Sequence, residues 1–410
     1  MSNMLENYGL DFLWESDETM TNFIAYLVKH AKVVPGYCAA PYLYMPMGAV
    51  EFWLRTQLQE NGVLEVIGID THCGGRCVWK LASTDLVLQE SNTEPMRRLM
   101  IFDRGKDEGG IVPVEVINPD VLPGPLDGDP VEMQVVALPI EISYYDSQEE
   151  YEAAQPDDKS GRKWIVGNGS FFPSGLLYNH APNRPEEEKN YDLDGQVLFA
   201  ATVKELYYGT FALDGRKENL FIRCVVDTLL GELEFNHTVE QVPQDLRKNI
   251  HVGATVAGVC IISGDVAIGS YENGMVKDLE HNLRALRYSF VHGEAERLRS
   301  ILTEEAVFYT ATSDQTFQGA KAIVERLNLV HAHRKGDYRA YMATITQGDQ
   351  NHPAGSRCVV LAANDRQGYE SIAFMTCNAN GMVERIEIST DEKYHFQVDE
   401  KPVCQASTDS

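Results

Sequence analysis

Residues 279–310 read LEHNLRALRYSFVHGEAERLRSILTEEAVFYT, and this stretch decides the fold of the carboxy-terminal part of the chain. Leu279, Leu283, Leu286 and Phe290 recur at helical spacing, which predicts one apolar stripe along a helix. Gly293 predicts the end of that helix, because glycine commonly interrupts helices. The stretch therefore predicts a helix that packs one face against a neighbouring element.

Beyond Gly293, helical segments and a short strand come first, and the hydrophobic pattern alternates regularly only from residue 338. A second helical stripe precedes a short strand at 307–310, and residues 319–333 return to helical spacing. Asn380-Gly381 predicts a hairpin, because both central residues of such a turn favour positive φ. The period of two predicts four further strands, at 338–346, 358–363, 371–378 and 382–389. The predicted fold is an α+β cone, with helices first and then a curved antiparallel sheet.

This pattern resembles the nuclear-transport-factor-like superfamily, which includes SnoaL-like polyketide cyclases and ketosteroid isomerases. The resemblance covers only the carboxy-terminal segment, from residue 279 to residue 390. It implies a conical pocket between the long helix and the inner face of the sheet, and dimerisation through the outer face. The residues that carry it are Arg287-Tyr288, Gly293-Glu294, Leu298, Ile301-Leu302, Glu304 to Phe308 and Asn378 to Gly381.

The resemblance also implies where the chemistry of an isomerase would lie. Tyr288 matches the tyrosine that donates to an oxyanion, while the general base would fall on Thr310 and the second acid near Ala373. A threonine hydroxyl does not exchange protons near neutral pH, because its pKa is far too high. Alanine carries no proton at all. We therefore expect no isomerase chemistry in this cone.

Four further residues are candidates for the lining of a pocket in the cone. Tyr309, Tyr341, His331 and His333 could line it beside Tyr288, Thr310 and Ala373. Aromatic residues on a concave sheet more often form core. His331 and His333 are two residues apart on a helix, so they face different directions and more often mark a solvated helix end. Both interpretations stay open for each residue.

Composition limits the classes of function. The 410 residues include 61 acidic and 35 basic side chains, and the net charge is −26. Such a surface repels phosphate backbones and anionic membranes, so we expect neither nucleic acid nor membrane as a partner. No secretory signal and no apolar run of spanning length is present. The eight cysteines are scattered and lie in apolar surroundings, which is typical of reduced thiols and predicts a cytosolic location.

The amino-terminal region, residues 1–128, is predicted to be an α+β domain. Ser16 or Asp17 caps a helix that runs to about residue 31. Strands at 48–56, 63–71 and 78–81 would form a meander, with two more at 99–102 and 111–117. His72, Cys73 and Cys77 form a weak candidate for a metal site, since the Cys-x3-Cys spacing lacks a second pair of ligands. The alternative is a glycine turn whose cysteines fill small gaps, and no cofactor is expected.

A proline-rich segment at 119–130 predicts a linker, and residues 129–275 alternate as a β domain would. Regular turns between short strands suggest an antiparallel barrel of the small oligonucleotide/oligosaccharide-binding type. Tyr207, Tyr208 and Phe211 could stack on bases, but too few basic residues accompany them for nucleic-acid binding. The predicted division is three domains, 1–128, 129–275 and 276–395, followed by a tail at 396–410.

Two functions follow from this sequence. The first is a non-catalytic cytosolic protein whose cone binds a small, partly apolar ligand or serves as a platform for a homo-oligomer. The alternative is a SnoaL-like enzyme of the cyclase, isomerase or hydrolase type, acting on a small carbonyl or cyclic substrate. In the alternative, Tyr288 would be the donor and a histidine such as His331 the base, within hydrogen-bond reach of the substrate.

Overall fold

The computed structural model gives the protein as mixed α+β, with three sheets among the described residues. No helix among the residues it describes is long and apolar enough to cross a membrane. The described residues are 4–14, 16–37, 40–59, 61–87, 98–103, 111–123, 129–156, 165–179, 185, 194–213, 216–266, 279–311, 313–333, 338–363, 369–390 and 394–399.

The first sheet is a four-stranded antiparallel meander that follows one helix, α1 (Asp17–His30). Ser16 caps α1 as predicted, because its hydroxyl accepts the backbone N–H of Thr19. Gly62, at φ +81°, forms the predicted turn between the third and fourth strands. The strands pair in chain order: β1 (Lys32–Val34), β2 (Tyr42–Met47), β3 (Val50–Leu58) and β4 (Leu64–Cys73).

The second sheet has nine strands and mixes sequence-distant elements. Its order is β11-β12-β8-β5-β6-β7-β13-β10-β9, with additional pairings of β10 with β11 and of β8 with β13. Five strands pair in a closed ring, in the order β10, β11, β12, β8, β13 and back to β10. The strands are β5 (Val78–Val87), β6 (Arg98–Asp103), β7 (Ile111–Val116), β8 (Pro130–Tyr145), β9 (Ser170–Phe172), β10 (Gln196–Leu213), β11 (Arg216–Thr228), β12 (Gly231–His237) and β13 (Thr255–Asp265).

The predicted meander through residues 78–81 is wrong. The strand β5 pairs with β8 and β6, not with β4. The turn at 73–77 therefore carries the chain from the first sheet to the second instead of closing a hairpin. A Gly-Gly pair is compatible both with a hairpin and with a passage between two sheets. Here β5 pairs with the sequence-distant strand β8, and this pairing places β5 in the second sheet.

The second sheet also crosses the predicted boundary at residue 128, because β5, β6 and β7 join strands from the 129–275 region. One apolar core spans both regions and includes Trp53, Trp79, Phe199 and Phe235. The three-domain division and the barrel type stay predictions. Two short helices accompany this sheet, α2 (Gln148–Ala154) and α3 (Ser174–Asn179).

The third sheet and two helices form the carboxy-terminal part, in the predicted order. Its seven strands are arranged β15-β14-β19-β18-β17-β16-β20, and all pairs are antiparallel except β14 with β19. Strand β20 includes the first residues of the predicted tail, whose residues 400–410 lie outside the described part. The elements are α4 (Leu279–His292), β14 (Leu302–Thr310), β15 (Gln315–Gln318), α5 (Ala320–His333), β16 (Tyr338–Gln347), β17 (Arg357–Ala363), β18 (Tyr369–Cys377), β19 (Val383–Ser389) and β20 (His395–Val398).

Candidate functional site

The inner face of the third sheet carries a continuous apolar row. Thr310 lies beside Ile388, which lies beside Ala373, and Val359 and Met342 extend the row across β17 and β16. The last four residues belong to the buried cluster formed with α4 and α5. The row contains no ionisable side chain. The two positions that the resemblance assigns to acids, Thr310 and Ala373, thus lie together on the inner face.

One end of this row holds two buried polar atoms that have no protein partner in the described part. Thr310 follows Phe308 by two residues and so faces the same side of β14, but it is only half-buried. Two buried atoms have no hydrogen-bond partner among the described residues: Oγ1 of Thr310 and Nε of Arg326. The Arg326 guanidinium lies over the ring of Phe317, with 5.1 Å between its Cζ and the ring centroid. Phe317 pairs with Phe308 on the neighbouring strand, and we call this set of four side chains on β14, β15 and α5 the mouth: Phe308, Thr310, Phe317 and Arg326.

Tyr288 lies on the other side of α4. It is about 200° around the helix from both Leu286 and Phe290, which belong to the apolar cluster. Its ring contacts His292, at 4.3 Å between centroids, and the Arg297 guanidinium lies 4.7 Å from its centroid. Tyr288 is not a member of the apolar cluster. The structure therefore does not bring it together with Thr310 and Ala373.

The other two tyrosines lie on the outer face of the sheet. Tyr309 alternates with Phe308 and Thr310, and its hydroxyl donates to Asp314 at 3.2 Å. That hydrogen bond raises the Tyr309 pKa. Tyr341 packs against the outer-face cluster that includes Val360. Neither ring shares the face of the apolar row.

His331 is half-buried and packs directly over Gly293. A Cβ at Gly293 would lie 2.4 Å from the His331 ring, and Gly293 adopts φ +76°. The His331 Nδ1 is buried without a hydrogen-bond partner in the described part. His331 is thus placed at the junction of α4 and α5, while the side chain of His333 lies outside the description.

Residues of the chain itself cover the apolar half of the outer face. His352 stacks on Phe374, with 3.7 Å between centroids and 6° between planes. Tyr394 packs on the same phenyl ring and donates to Asp349 at 2.9 Å. Phe374 and Tyr394 are both buried. The surface through which the resemblance implies dimerisation is therefore occupied here from within the chain.

Two arginines fasten the carboxy-terminal part to the remainder of the chain. Arg287 on α4 forms an ion pair with Asp129. Arg297 is 5% exposed and bonds to Asp120 at 3.1 Å and to Glu294 at 2.7 Å. Tyr37, from the amino-terminal region, belongs to the apolar cluster of the cone. These contacts make the cone continuous with the body of the protein.

The weak metal candidate lies in a different environment, between the first and second sheets. The two ring nitrogens of His72 bond to Ser263, at 3.1 Å, and to Gln134. Cys73 and Cys77 are buried thiols, and burial raises the pKa of both. Within the described ranges no group of three His, Cys, Asp or Glu side chains is arranged to hold a metal ion. Cys38, the nearest further cysteine in the sequence, lies outside those ranges.

The same interface contains charged residues that sequence reasoning missed. Arg223 bonds to both Glu234 oxygens, at 2.7 and 2.8 Å, and to the Gly74 carbonyl at 2.9 Å. Glu51 accepts the Tyr44 hydroxyl at 2.9 Å. Glu51 lies inside the apolar run 49–54, and a charged residue in such a run was the signal that could have indicated a buried polar site. We call this set the polar layer: Tyr44, Glu51, His72, Cys73, Gln134, Arg223, Glu234, Ser263 and Asp265.

Comparisons with known proteins give similarity to a segment only. Family models and curated proteins yield no match. Among solved structures, an NTF2-like protein of unknown function from Pseudomonas putida is 16% identical, covering 30% of this chain and 90% of its own, with a TM-score of 0.21. An NTF-2 like protein of unknown function from Burkholderia xenovorans is 16% identical over 30% and 85%, with a TM-score of 0.20. ActVI-ORFA from Streptomyces coelicolor is 18% identical over 27% and 90%, with a TM-score of 0.18.

These names agree with the resemblance drawn from residues 279–390, and like it they concern only part of the chain. The identities are below 25% and the TM-scores are far below 0.5.

Proposed function

We propose that this is a non-catalytic cytosolic protein that binds a small, mostly apolar ligand at the mouth of the cone. The observation that carries the proposal is Thr310 Oγ1, a buried hydroxyl that no described protein group satisfies. Leaving a buried hydroxyl unmatched costs about 1–3 kcal/mol, which a ligand with one polar atom would recover. Phe317 and Phe308 supply an aromatic wall beside it.

Two properties of the mouth narrow the class of ligand. The row behind Thr310 is apolar, so the body of the ligand should be hydrocarbon or aromatic. The only charged side chain that defines the mouth, Arg326, carries a buried N–H without a partner in the described residues. A ligand with one hydrogen-bond donor for Thr310 and an acceptor for Arg326 fits both atoms. The free cysteines of the described residues support the cytosolic part of the proposal.

The enzyme alternative has less support. Its donor, Tyr288, contacts His292 and Arg297 on the far side of α4, and the row that carries Thr310 has no group able to take a proton. Self-association through the outer face also has less support, because Phe374 is covered by His352 and Tyr394.

Fluorescence titration with N-phenyl-1-naphthylamine tests the proposal. This uncharged probe brightens in apolar surroundings, and its N–H can donate to Thr310. The Thr310→Val variant should weaken binding about two- to tenfold, equivalent to roughly 0.5–1.5 kcal/mol for one neutral hydrogen bond. Thr316→Val is the matched control, because Thr316 pairs with Tyr309 and is exposed. Absence of binding, or equal affinity in wild type and Thr310→Val, would overturn the proposal.

A further inference from the structure

The polar layer between the first and second sheets holds more negative than positive charge. Glu51, Glu234 and Asp265 contribute three carboxyl groups, and all three are buried. Arg223 contributes the single fixed positive charge of the layer. Ionising every carboxyl would leave the layer with an uncompensated negative charge away from water, which is unfavourable.

Arg223 is already committed to partners other than Glu51. It bonds to both oxygens of Glu234 and to the carbonyl of Gly74. The Tyr207 ring lies over its guanidinium, at 4.8 Å, and the Tyr207 hydroxyl also donates to Glu234, at 2.6 Å. Glu234 thus takes most of the contacts that Arg223 offers to carboxyl groups.

Glu51 is the carboxyl group least able to ionise. It is 7% exposed, and a Cβ placed on Gly74 would lie 2.5 Å from its Oε1, so the segment after β4 packs tightly against it. Asn118, in contrast, donates to Asp265 at 2.7 Å and stabilises that carboxylate. Burial and the charge of Asp265 raise the Glu51 pKa to about 7. The groups that face Glu51 come from four other strands, Tyr44 on β2, Cys73 on β4, Arg223 on β11 and Asp265 on β13, together with Trp53 on its own strand.

We propose that the polar layer is a proton-operated latch: with a proton on Glu51 the first sheet is held against the second, and loss of that proton loosens the segment 72–77 that joins them. We expect the latch to act at the segment 72–77, because this segment contacts residues of both the first and the second sheet. Gly74 packs on Glu51 and bonds to Arg223, and a Cβ at Gly75 would lie 3.2 Å from Arg223 and from Gln134.

The sign of the effect follows from the two states. Glu51 releases its proton at about pH 7 when the layer is closed and at its ordinary value of 4.5 when the layer is open. Opening therefore releases a proton between pH 4.5 and 7. The opening equilibrium should rise about tenfold per pH unit in that window and level off above it.

Hydrogen exchange measured by mass spectrometry on the full chain at pH 5, 6, 7 and 8, corrected for the intrinsic rate, tests the latch. Peptides over 49–56 and 70–79 should lose protection about tenfold per pH unit up to pH 7, whereas a peptide over α4 should not. Glu51→Gln should remove this dependence. Glu65→Gln, an exposed change on β4, should behave as wild type.

A second variant keeps the test decisive if Glu51→Gln does not fold. Asp265→Asn keeps an oxygen for Asn118 but removes the charge that raises the Glu51 pKa, so protection should level off at a lower pH than in wild type. Wild-type protection that stays constant from pH 5 to 7, the same loss in Glu51→Gln as in wild type, or an unshifted profile in Asp265→Asn would overturn the latch.

Discussion

The Tyr144 hydroxyl donates a hydrogen bond of 2.7 Å to Nε2 of His237, inside the core of the second sheet. The other ring nitrogen, Nδ1, donates its proton to the Thr238 carbonyl at 2.9 Å. A carbonyl can only accept, so Nδ1 carries a proton, and burial lowers the pKa of His237 to about 4, so the ring is neutral at pH 7 and Nε2 accepts from Tyr144. Both side chains are fully buried. This pair therefore holds a neutral histidine where a charged one would be costly.

His237 should make the protein less stable in acid. Burial lowers its pKa from 6.5 to about 4, so the unfolded state binds the proton first as the pH falls. Its contribution is complete above pH 6.5 and is lost as the pH falls towards 4, by up to about 3 kcal/mol. Because Glu51 acts in the opposite sense over the same range, the effect is measured as a difference: wild type should gain about 1.4 kcal/mol per pH unit relative to His237→Gln in urea unfolding at pH 4.5, 5.5 and 6.5. A difference that stays constant over this range would show that His237 does not titrate as inferred.

Glu51 should have the opposite effect on the free energy of unfolding. Its pKa is raised to about 7 in the folded state, so its contribution is present below pH 4.5 and is lost as the pH rises to 7. Glu51→Gln should therefore be more stable than wild type at pH 8, by roughly 1–3 kcal/mol. The two residues nearly cancel in wild type between pH 4.5 and 6.5. Chemical unfolding of the single and double variants at pH 5 and 8 checks both signs, and a less stable Glu51→Gln at pH 8 would contradict this account.

The buried pair of Arg223 and Glu234 should matter far more than an exposed pair nearby. Glu234→Ala leaves Arg223 without its bidentate partner and should cost about 3–5 kcal/mol. Arg76 pairs with Glu205 at 2.6 Å, but its side chain is 51% exposed, so Arg76→Ala should change the stability little. Urea unfolding at pH 7 compares the two variants. If both variants lost the same free energy of unfolding, burial would not explain the larger contribution expected of the pair of Arg223 and Glu234.

Arg297 should hold the cone to the body of the protein. Arg297→Met breaks its bonds to Asp120 and Glu294 and removes the cation from the Tyr288 ring. We expect the unfolding transition of the cone to separate from that of the remainder and to occur at a lower temperature. Arg299→Met is the control, because Arg299 pairs with Glu296 at the surface. Calorimetry of the full chain should show two transitions in the first variant and the wild-type profile in the second.

Local signals in the sequence predicted the elements of the cone and the first helix. The stripe from Leu279 to Phe290 and the Ser16 cap each act within a few residues, and the structure confirms both. The hairpin at Asn380-Gly381 is also present, but only Gly381, at φ +74°, is positive, so the expectation for Asn380 is wrong. The period of two likewise placed the strands of 338–389, because side chains alternate between the two faces of a sheet.

Contacts between distant parts of the chain could not be predicted in the same way. Nothing local indicates that β7 runs parallel to β13, or that Cys73 ends one sheet while Val78 begins another. The alternation around Thr310 indicates which residues share its face, and helical spacing alone places Tyr288 opposite Leu286 and Phe290 on α4. The polar layer combines residues from seven strands, so Glu51 by itself showed only an unexpected charge in an apolar run.

Methyl NMR of the isoleucine and threonine side chains tests the central claim most directly. On titration with N-phenyl-1-naphthylamine, the methyl resonances of Thr310 and Ile388 at the inner face should shift, while those of Ile345 and Ile372, in the covered outer cluster, should not. That result would place the ligand at the mouth of the cone. Shifts confined to Ile345 and Ile372, or no shift at saturating probe, would contradict a ligand site beside Thr310.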